Sequence, residues 1–167
     1  MEEISKLKVR RVRPSDVERI AAFVNRARPH GPPVTPDDVL ERLGTAGFFL
    51  AEHGGAVVGL LGWRAEDLVA RVTDFLIYPA RFRVSAGRAL LSAMEDAARE
   101  LQCEAAILFV PIKTPLETLN FWETFGYELR KVAALPRPWR EAAREANPTG
   151  EWVVLKQLRE DRVVRPI

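Results

Sequence analysis

The chain has 167 residues, 47% hydrophobic and 29% charged, the size and balance of one folded domain over 1–167 and not of a disordered chain. Its 25 Lys+Arg stand against 23 Asp+Glu with no block of one sign, so nothing marks it for nucleic acid. No stretch reaches the ~18 apolar residues of a membrane span, and Met1–Pro14 lacks the apolar core of a signal peptide. One cysteine, Cys103, excludes an internal disulfide and suits a reducing cytoplasm.

In chain order, Lys8–Arg13 reads as a short strand. A helix follows, with Ser15 as its N-cap and Val17, Ile20, Ala21 and Val24 on one face. Ala27–Pro36, with four prolines and His30, is a loop. Thr35 then caps a second helix that has Pro36 at its first position and Gly44 past its end. Phe48–Glu52, the turn His53-Gly54-Gly55 and Val57–Trp63 make a hairpin. Glu66–Asp67 turns into the strand Ala70–Tyr78. Ala105–Val110 is an unbroken apolar run, the pattern of a strand buried on both faces. Thr114 and Pro115 open a helix whose apolar positions include Leu116, Leu119, Phe121, Trp122 and Phe125, and Gly126 closes it. Tyr127–Val132 and Trp152–Leu158 are two further strands, and Ala133–Gly150 between them holds a short polar helix around Trp139–Ala146. The pattern predicts an α+β fold on a mixed sheet.

The most telling stretch is Ile77 to Leu91. A strand stops at Pro79, a loop with Arg81 and Arg83 follows, and a helix opens at Ser85 with Ala86, Ala89, Leu90, Ala93, Met94 and Ala97 at helical spacing. A strand, a basic loop and a helix N-terminus together offer free N–H groups and the positive end of a helix dipole to an anion such as a phosphate. An ordinary connection between strand and helix has the same outline.

The order of elements and two local sequences resemble the GNAT superfamily of acyl-CoA-dependent N-acetyltransferases. In the family's acyl-CoA loop, Ile77, Pro79, Gly87, Leu90 and Leu91 match in register, and Asn120–Tyr127 is similar to its later helix-to-strand sequence. The resemblance covers nearly the whole chain. It implies a mostly antiparallel sheet flanked by helices, with splayed central strands. It also implies acetyl-CoA as co-substrate, no metal, and transfer of an acetyl group to the primary amine of a small molecule or peptide by direct attack on the thioester. Two-fold homodimers are common in such a family.

Departures from the family pattern are specific. Phe82 stands where the family has Arg or Gln, Arg83 at a common Gly, Ser85 at the first Gly of a Gly-x-Gly, and Pro115 at a frequent Asn. Trp122 replaces a Tyr that many members use as general acid. If Ser85 needed a left-handed backbone it would cost about 1–2 kcal/mol. Arg81, Arg83 and Arg88 could restore lost phosphate contacts. The resemblance thus gives Phe75, Ile77, Arg81, Arg83, Ser85, Ala86, Gly87, Arg88 and Trp122 as the cofactor-binding set, Trp122 beside the thioester end. A degenerate, non-catalytic CoA-binding or regulatory module is the alternative these losses raise.

Transfer to an amine needs a base, a polarised carbonyl and an exit for the thiolate. Asp74, the one charged residue within Val72–Ile77, is the candidate base, with Glu52 second. Strand alternation puts Asp74 on the face opposite Ile77 unless a bulge intervenes. Its other expected role is to pair with an arginine. Tyr78 and Tyr127 carry the only phenols, which makes Tyr78 the candidate acid, while Tyr127 sits where the family packs a Phe. His30 and His53 are spaced for no metal site, and Cys103 reads as a packed hydrophobe.

Overall fold

A computed structural model describes residues 7–160. The expectation for Met1–Pro14 therefore lies partly outside the described residues. Seven strands and five α-helices are described: β1 (Leu7–Arg11), α1 (Val17–Ala27), α2 (Pro36–Leu43), β2 (Gly47–His53), β3 (Ala56–Glu66), β4 (Val69–Ile77), α3 (Arg83–Glu100), β5 (Ala105–Val110), α4 (Leu116–Glu123), β6 (Glu128–Lys131), α5 (Arg137–Ala146) and β7 (Trp152–Gln157). The strand order is β1-β2-β3-β4-β5-β7-β6. β1–β2, β2–β3, β5–β7 and β6–β7 pair antiparallel, whereas β4 pairs with β5 in parallel, Val69↔Ala105, Ala70↔Ala106 and Arg71↔Ile107. That ladder ends while β4 continues to Ile77. This is the expected mixed sheet with splayed central strands.

The chain gathers into two compact units. In the first, α1 and α2 lay Ile20, Phe23 and Val39 over Phe48, Leu50 and Leu60 of β2 and β3. Thr35 caps α2 as its sequence predicts: its hydroxyl accepts from the Asp38 N–H at 3.1 Å, and Asp38 Oδ2 accepts from the Thr35 N–H at 2.9 Å. The β2–β3 hairpin is longer than expected, and its turn contracts to Gly54-Gly55. Their φ values of 56° and 85° suit glycine, and positive φ at a tight turn matches the twist of the strands it joins.

The N-cap of α1 is a correction. Ser15 lies inside a 3₁₀ turn, Pro14–Asp16, and the helix starts after Asp16. The reason is electrostatic. Arg10 grips Asp16 with two N–H donors at 2.7 and 2.8 Å, and the Arg13 N–H donates to the same carboxylate at 2.7 Å. Glu52 joins through Arg10 and Arg19. β1 accordingly stops at Arg11, short of the expected Arg13.

In the second unit, Val69, Ile107, Val153 and Leu155 form a core that the expected polar insertion helps to cover. α5 is amphipathic: Trp139, Ala142 and Ala143 are buried, and the Trp139 indole N–H donates to buried Glu104 at 2.8 Å. The strand expected at Tyr127–Val132 shortens to β6 because the Tyr127 N–H still bonds to Trp122 O at the end of α4 and Val132 opens a 3₁₀ turn. Cys103 is buried, and burial pushes its thiol pKa up, which removes it from nucleophilic chemistry.

The charge network yields the first prediction. The Arg10 hydrogen bonds hold Asp16 down to a pKa of about 2, against an ordinary 3.8. A depressed carboxylate stabilises the fold fully above pH ~4 and loses that contribution as pH falls toward 2. Asp16→Asn should therefore cost about 2 kcal/mol at neutral pH. In urea titrations, the gap between variant and parent should close as pH drops through 4 to 2. A gap independent of pH would assign the role to shape instead of charge.

Candidate active site

β4 carries one carboxylate in the run Val-Thr-Asp-Phe-Leu-Ile, and the first unit is arranged around it. Asp74 Oδ2 accepts from the Arg42 guanidinium on α2 and from the Thr73 hydroxyl at 2.7 Å. Both bonds fall on one oxygen; Oδ1 has no hydrogen bond among the described residues. β3 makes room by having no side chain at Gly62. A Cβ there would stand 2.5 Å from Phe48 Cε1 and 2.6 Å from Asp74 Oδ2, closer than packed atoms tolerate.

Asp74 borders a cavity of about 370 Å³, the scale of a small-molecule site. Val24 of α1, Val34 of the proline-rich loop, Val39 of α2, Leu60 of β3, and Phe75 and Leu76 of β4 supply its walls. Arg28, Asp38, Arg42 and Asp74 are its charged members. The loop is pinned by Asn25, whose side chain donates to Val34 O and accepts from the Val34 N–H, at 2.9 and 2.8 Å.

β4 then runs into the loop singled out in the sequence. Ile77 lies 3.6 Å from where a Gly59 Cβ would sit, and Leu90 of α3 only 2.8 Å from it, so glycine lets α3 cross β3 closely. The Tyr78 N–H donates to Val58 O at 2.9 Å, and its side chain is partly exposed. A 3₁₀ turn, Ala80–Phe82, continues directly into α3, which therefore opens at Arg83 instead of the expected Ser85. Phe82 is the cause. It is buried at 4% exposure, packed 4.8 Å from the His53 ring and covered by the Arg81 guanidinium at 4.5 Å.

Ala86 and Gly87 are buried in the first turns of α3, with Arg83 and Arg88 on its exposed side. Ser85 donates its hydroxyl back to Phe82 O at 3.5 Å. Among the described residues, positive φ occurs at Gly54, Gly55, Asp67, Gln102 and Gly126. Ser85 therefore needs no left-handed backbone, and its replacement of glycine carries no such cost. The first N–H groups of α3 have no carbonyl within the helix to bond; that of Arg83 bonds to Ala80 O in the 3₁₀ turn, and the Gly87 N–H is directed at the Arg83 carbonyl.

In the second unit, Trp122 is 4% exposed, with its ring edge-on to Phe121 and Tyr127. Tyr127 is fully buried and donates to Glu95 Oε2 at 2.8 Å, while the Lys156 ammonium donates to Oε1 at 2.9 Å. Burial, with Glu95 alongside, lifts the Tyr127 phenol far above its ordinary value. Tyr127 is structural, as its place in the pattern suggested.

Residues 17–127 match the model of the acetyltransferase (GNAT) family. The chain belongs to that family. It is an acetyltransferase of the GNAT type, and the family's chemistry draws on acyl-CoA. Solved structures share the fold at low identity. The Salmonella typhimurium protein yncA, solved with its cofactor acetyl-CoA, has a TM-score of 0.65 at 17% identity over 97% of this chain and 99% of its own. The Escherichia coli ribosomal-protein-S18-alanine N-acetyltransferase gives 0.65 at 14%, over 96% and 99%. The Neisseria gonorrhoeae N-acetylglutamate synthase, complexed with coenzyme A and N-acetyl-glutamate, gives 0.65 at 17%, over 92% of this chain and 35% of its own. No curated protein sequence matches the chain.

The sequence reading missed Arg42, the aspartate's partner, because Pro36–Leu43 reads as a capped helix with a solvated charged face. The signal for the pocket was present in Gly62, a glycine inside an apolar strand, which marks close approach to Phe48 and Asp74. Tyr127→Phe should leave kcat and its pH profile unchanged while lowering Tm by several degrees. The loss is one buried hydrogen bond to a carboxylate, about 1.5–3 kcal/mol. An altered alkaline limb would return this phenol to the chemistry.

Proposed function

We propose that the protein acetylates a primary amine by direct attack on the thioester of acetyl-CoA, with the amine held in the cavity beside Asp74. One observation carries this reading. A single strand, β4, presents Asp74 and Leu76 to a largely apolar, partly open cavity and then leads through Tyr78 and Pro79 into the N-terminus of α3.

The residues at that helix start fit a diphosphate. Backbone N–H groups lie at the positive end of a helix spanning Arg83–Glu100, that of Arg83 bonded to Ala80 O, with Arg81, Arg83 and Arg88 nearby in sequence. Phe82 contributes no charge, but burying it fixes the backbone that presents those donors. Acetyl-CoA, when bound, supplies the thioester carbonyl that accepts the amine.

A free alkylamine with pKa near 10.4 is only about 0.04% neutral at pH 7, so the costly step is deprotonation. Asp74 Oδ1 is the proton acceptor in this reading, and Arg42 and Thr73 fix the carboxylate through Oδ2. A thiol with pKa near 8.5 leaves as thiolate without a strong acid, and Tyr78 is the candidate donor if one acts. Cys103, buried, takes no part. A reducing cytoplasm is the setting we assign.

The test joins binding to rate. CoA at 100 times its Kd should stabilise the protein by about 2.7 kcal/mol, a Tm rise of several degrees. Arg83→Ala should weaken that binding, with the loss shrinking as salt rises. Asp74→Asn should lower kcat/KM at pH 7 by about a hundredfold, the lower range for a general base, with CoA affinity unchanged. Absence of any Tm response to millimolar CoA and acetyl-CoA would overturn the reading. An unaltered Asp74→Asn rate would remove the base.

A further inference from the structure

Resting on the acceptor site proposed above, we infer that the amine is a compact apolar monoamine, alkyl or arylalkyl, and not a polyamine, an amino sugar or a basic peptide. Carbon forms most of the cavity wall: Val24, Val34, Val39, Leu60, Phe75 and Leu76 come from five separate segments and leave one apolar chamber of about 370 Å³. Such a chamber takes a body of modest size and rewards each methylene it removes from water.

The charges at the cavity decide against a second cation. Two arginines, Arg28 and Arg42, face two aspartates. Asp38 is committed to the Thr35 N–H at the head of α2, and Asp74 shares Oδ2 between Arg42 and Thr73. The Oδ1 atoms of Asp74 and Asp38 accept no hydrogen bond among the described residues, but the two arginines already balance both carboxylates. A polycation would find no surplus negative charge to draw it in, and its second ammonium would lie against Arg28, Arg42 or hydrocarbon. Arg42 is thus a specificity residue as well as a positioning one. It orients Asp74 and keeps the chamber electrically neutral.

The experiment uses the full chain with saturating acetyl-CoA and follows thiol release. The acceptors are propylamine, pentylamine, phenethylamine, 1,5-diaminopentane, spermidine and a tripeptide with an N-terminal leucine. From propylamine to pentylamine, kcat/KM should rise about fourfold per methylene. Pentylamine should exceed 1,5-diaminopentane, its dicationic match in length, by tenfold or more. Arg42→Gln should raise the diamine relative to pentylamine by about fivefold, a shift in ratio that simple loss of folding would not produce. Val34→Asp should narrow the same ratio and Val34→Leu should keep it, since the Asn25 hydrogen bonds engage only the Val34 backbone.

A diamine, spermidine or the tripeptide turned over as well as pentylamine overturns the inference. Ligand-observed NMR on the CoA-loaded protein separates this from failure of the underlying reading. If no amine is acetylated while CoA binds, acetyl transfer to amines fails, and the inference is decided by binding alone. Pentylamine binding more tightly than diaminopentane supports it. Equal binding, or none, sinks it.

Discussion

A carboxylate in the middle of an apolar strand is the constraint that organises the first unit. Asp74 is only half-buried, yet a carboxylate set beside Phe48, Leu60 and Phe75 would still be costly without partners. Three neighbours meet that cost: Arg42 supplies the opposite charge, Thr73 a hydroxyl, and Gly62 the absence of a side chain. Each comes from a different place in the sequence. α2 must therefore dock so that Arg42, in its last turn, reaches β4, and that docking rests on Val39 in the core with Leu43 packed against it, while the Thr35 capping box sets where the helix begins. The chamber beside Asp74 is the space that this docking leaves.

The fold was legible where a pattern is local. Ala105–Val110 was read to the residue because six consecutive apolar positions admit few alternatives, and Thr35-Pro36 announced α2 by cap chemistry alone. Boundaries failed where a distant partner decides them. Ser15 is a good capping residue by type, yet Arg10 from the neighbouring strand draws Asp16 into that place. Phe82 looked like a lost cofactor contact, and the structure shows a buried anchor against His53. Arg42 was invisible as a site residue because its partner lies 32 positions away. Sequence spacing on a helix says which face a residue occupies and nothing about what that face meets.

The second unit handles its buried polar groups in the same manner with different chemistry. Glu95 is 5% exposed and would destabilise the interior if it were alone. The Tyr127 hydroxyl and the Lys156 ammonium each take one of its oxygens, and the Lys156 ammonium also sits 5.8 Å from the Tyr127 ring centre. Glu104, at 3% exposure, has the Trp139 indole N–H. Both arrangements tie residues distant in sequence, so α5, a short polar helix by its sequence, is fixed by a tryptophan that donates into the core. Its charged face led the reading; its buried face determines its place.

The departures at the acyl-CoA loop bear on function through backbone conformation. A glycine in such a loop can serve a left-handed φ or a close approach, and the two predict different consequences for its loss. Ser85 sits in the first turns of an α-helix, so the left-handed requirement is absent, and its hydroxyl turns back to Phe82 O instead of standing across the helix end. Only the volume of one side chain remains as an obstacle to a phosphate. Phe82 buries an aromatic ring against His53, and this holds the 3₁₀ turn at the entrance to α3. Backbone N–H groups are donors that any side-chain substitution leaves in place, so the departures at this turn act through the backbone conformation they allow.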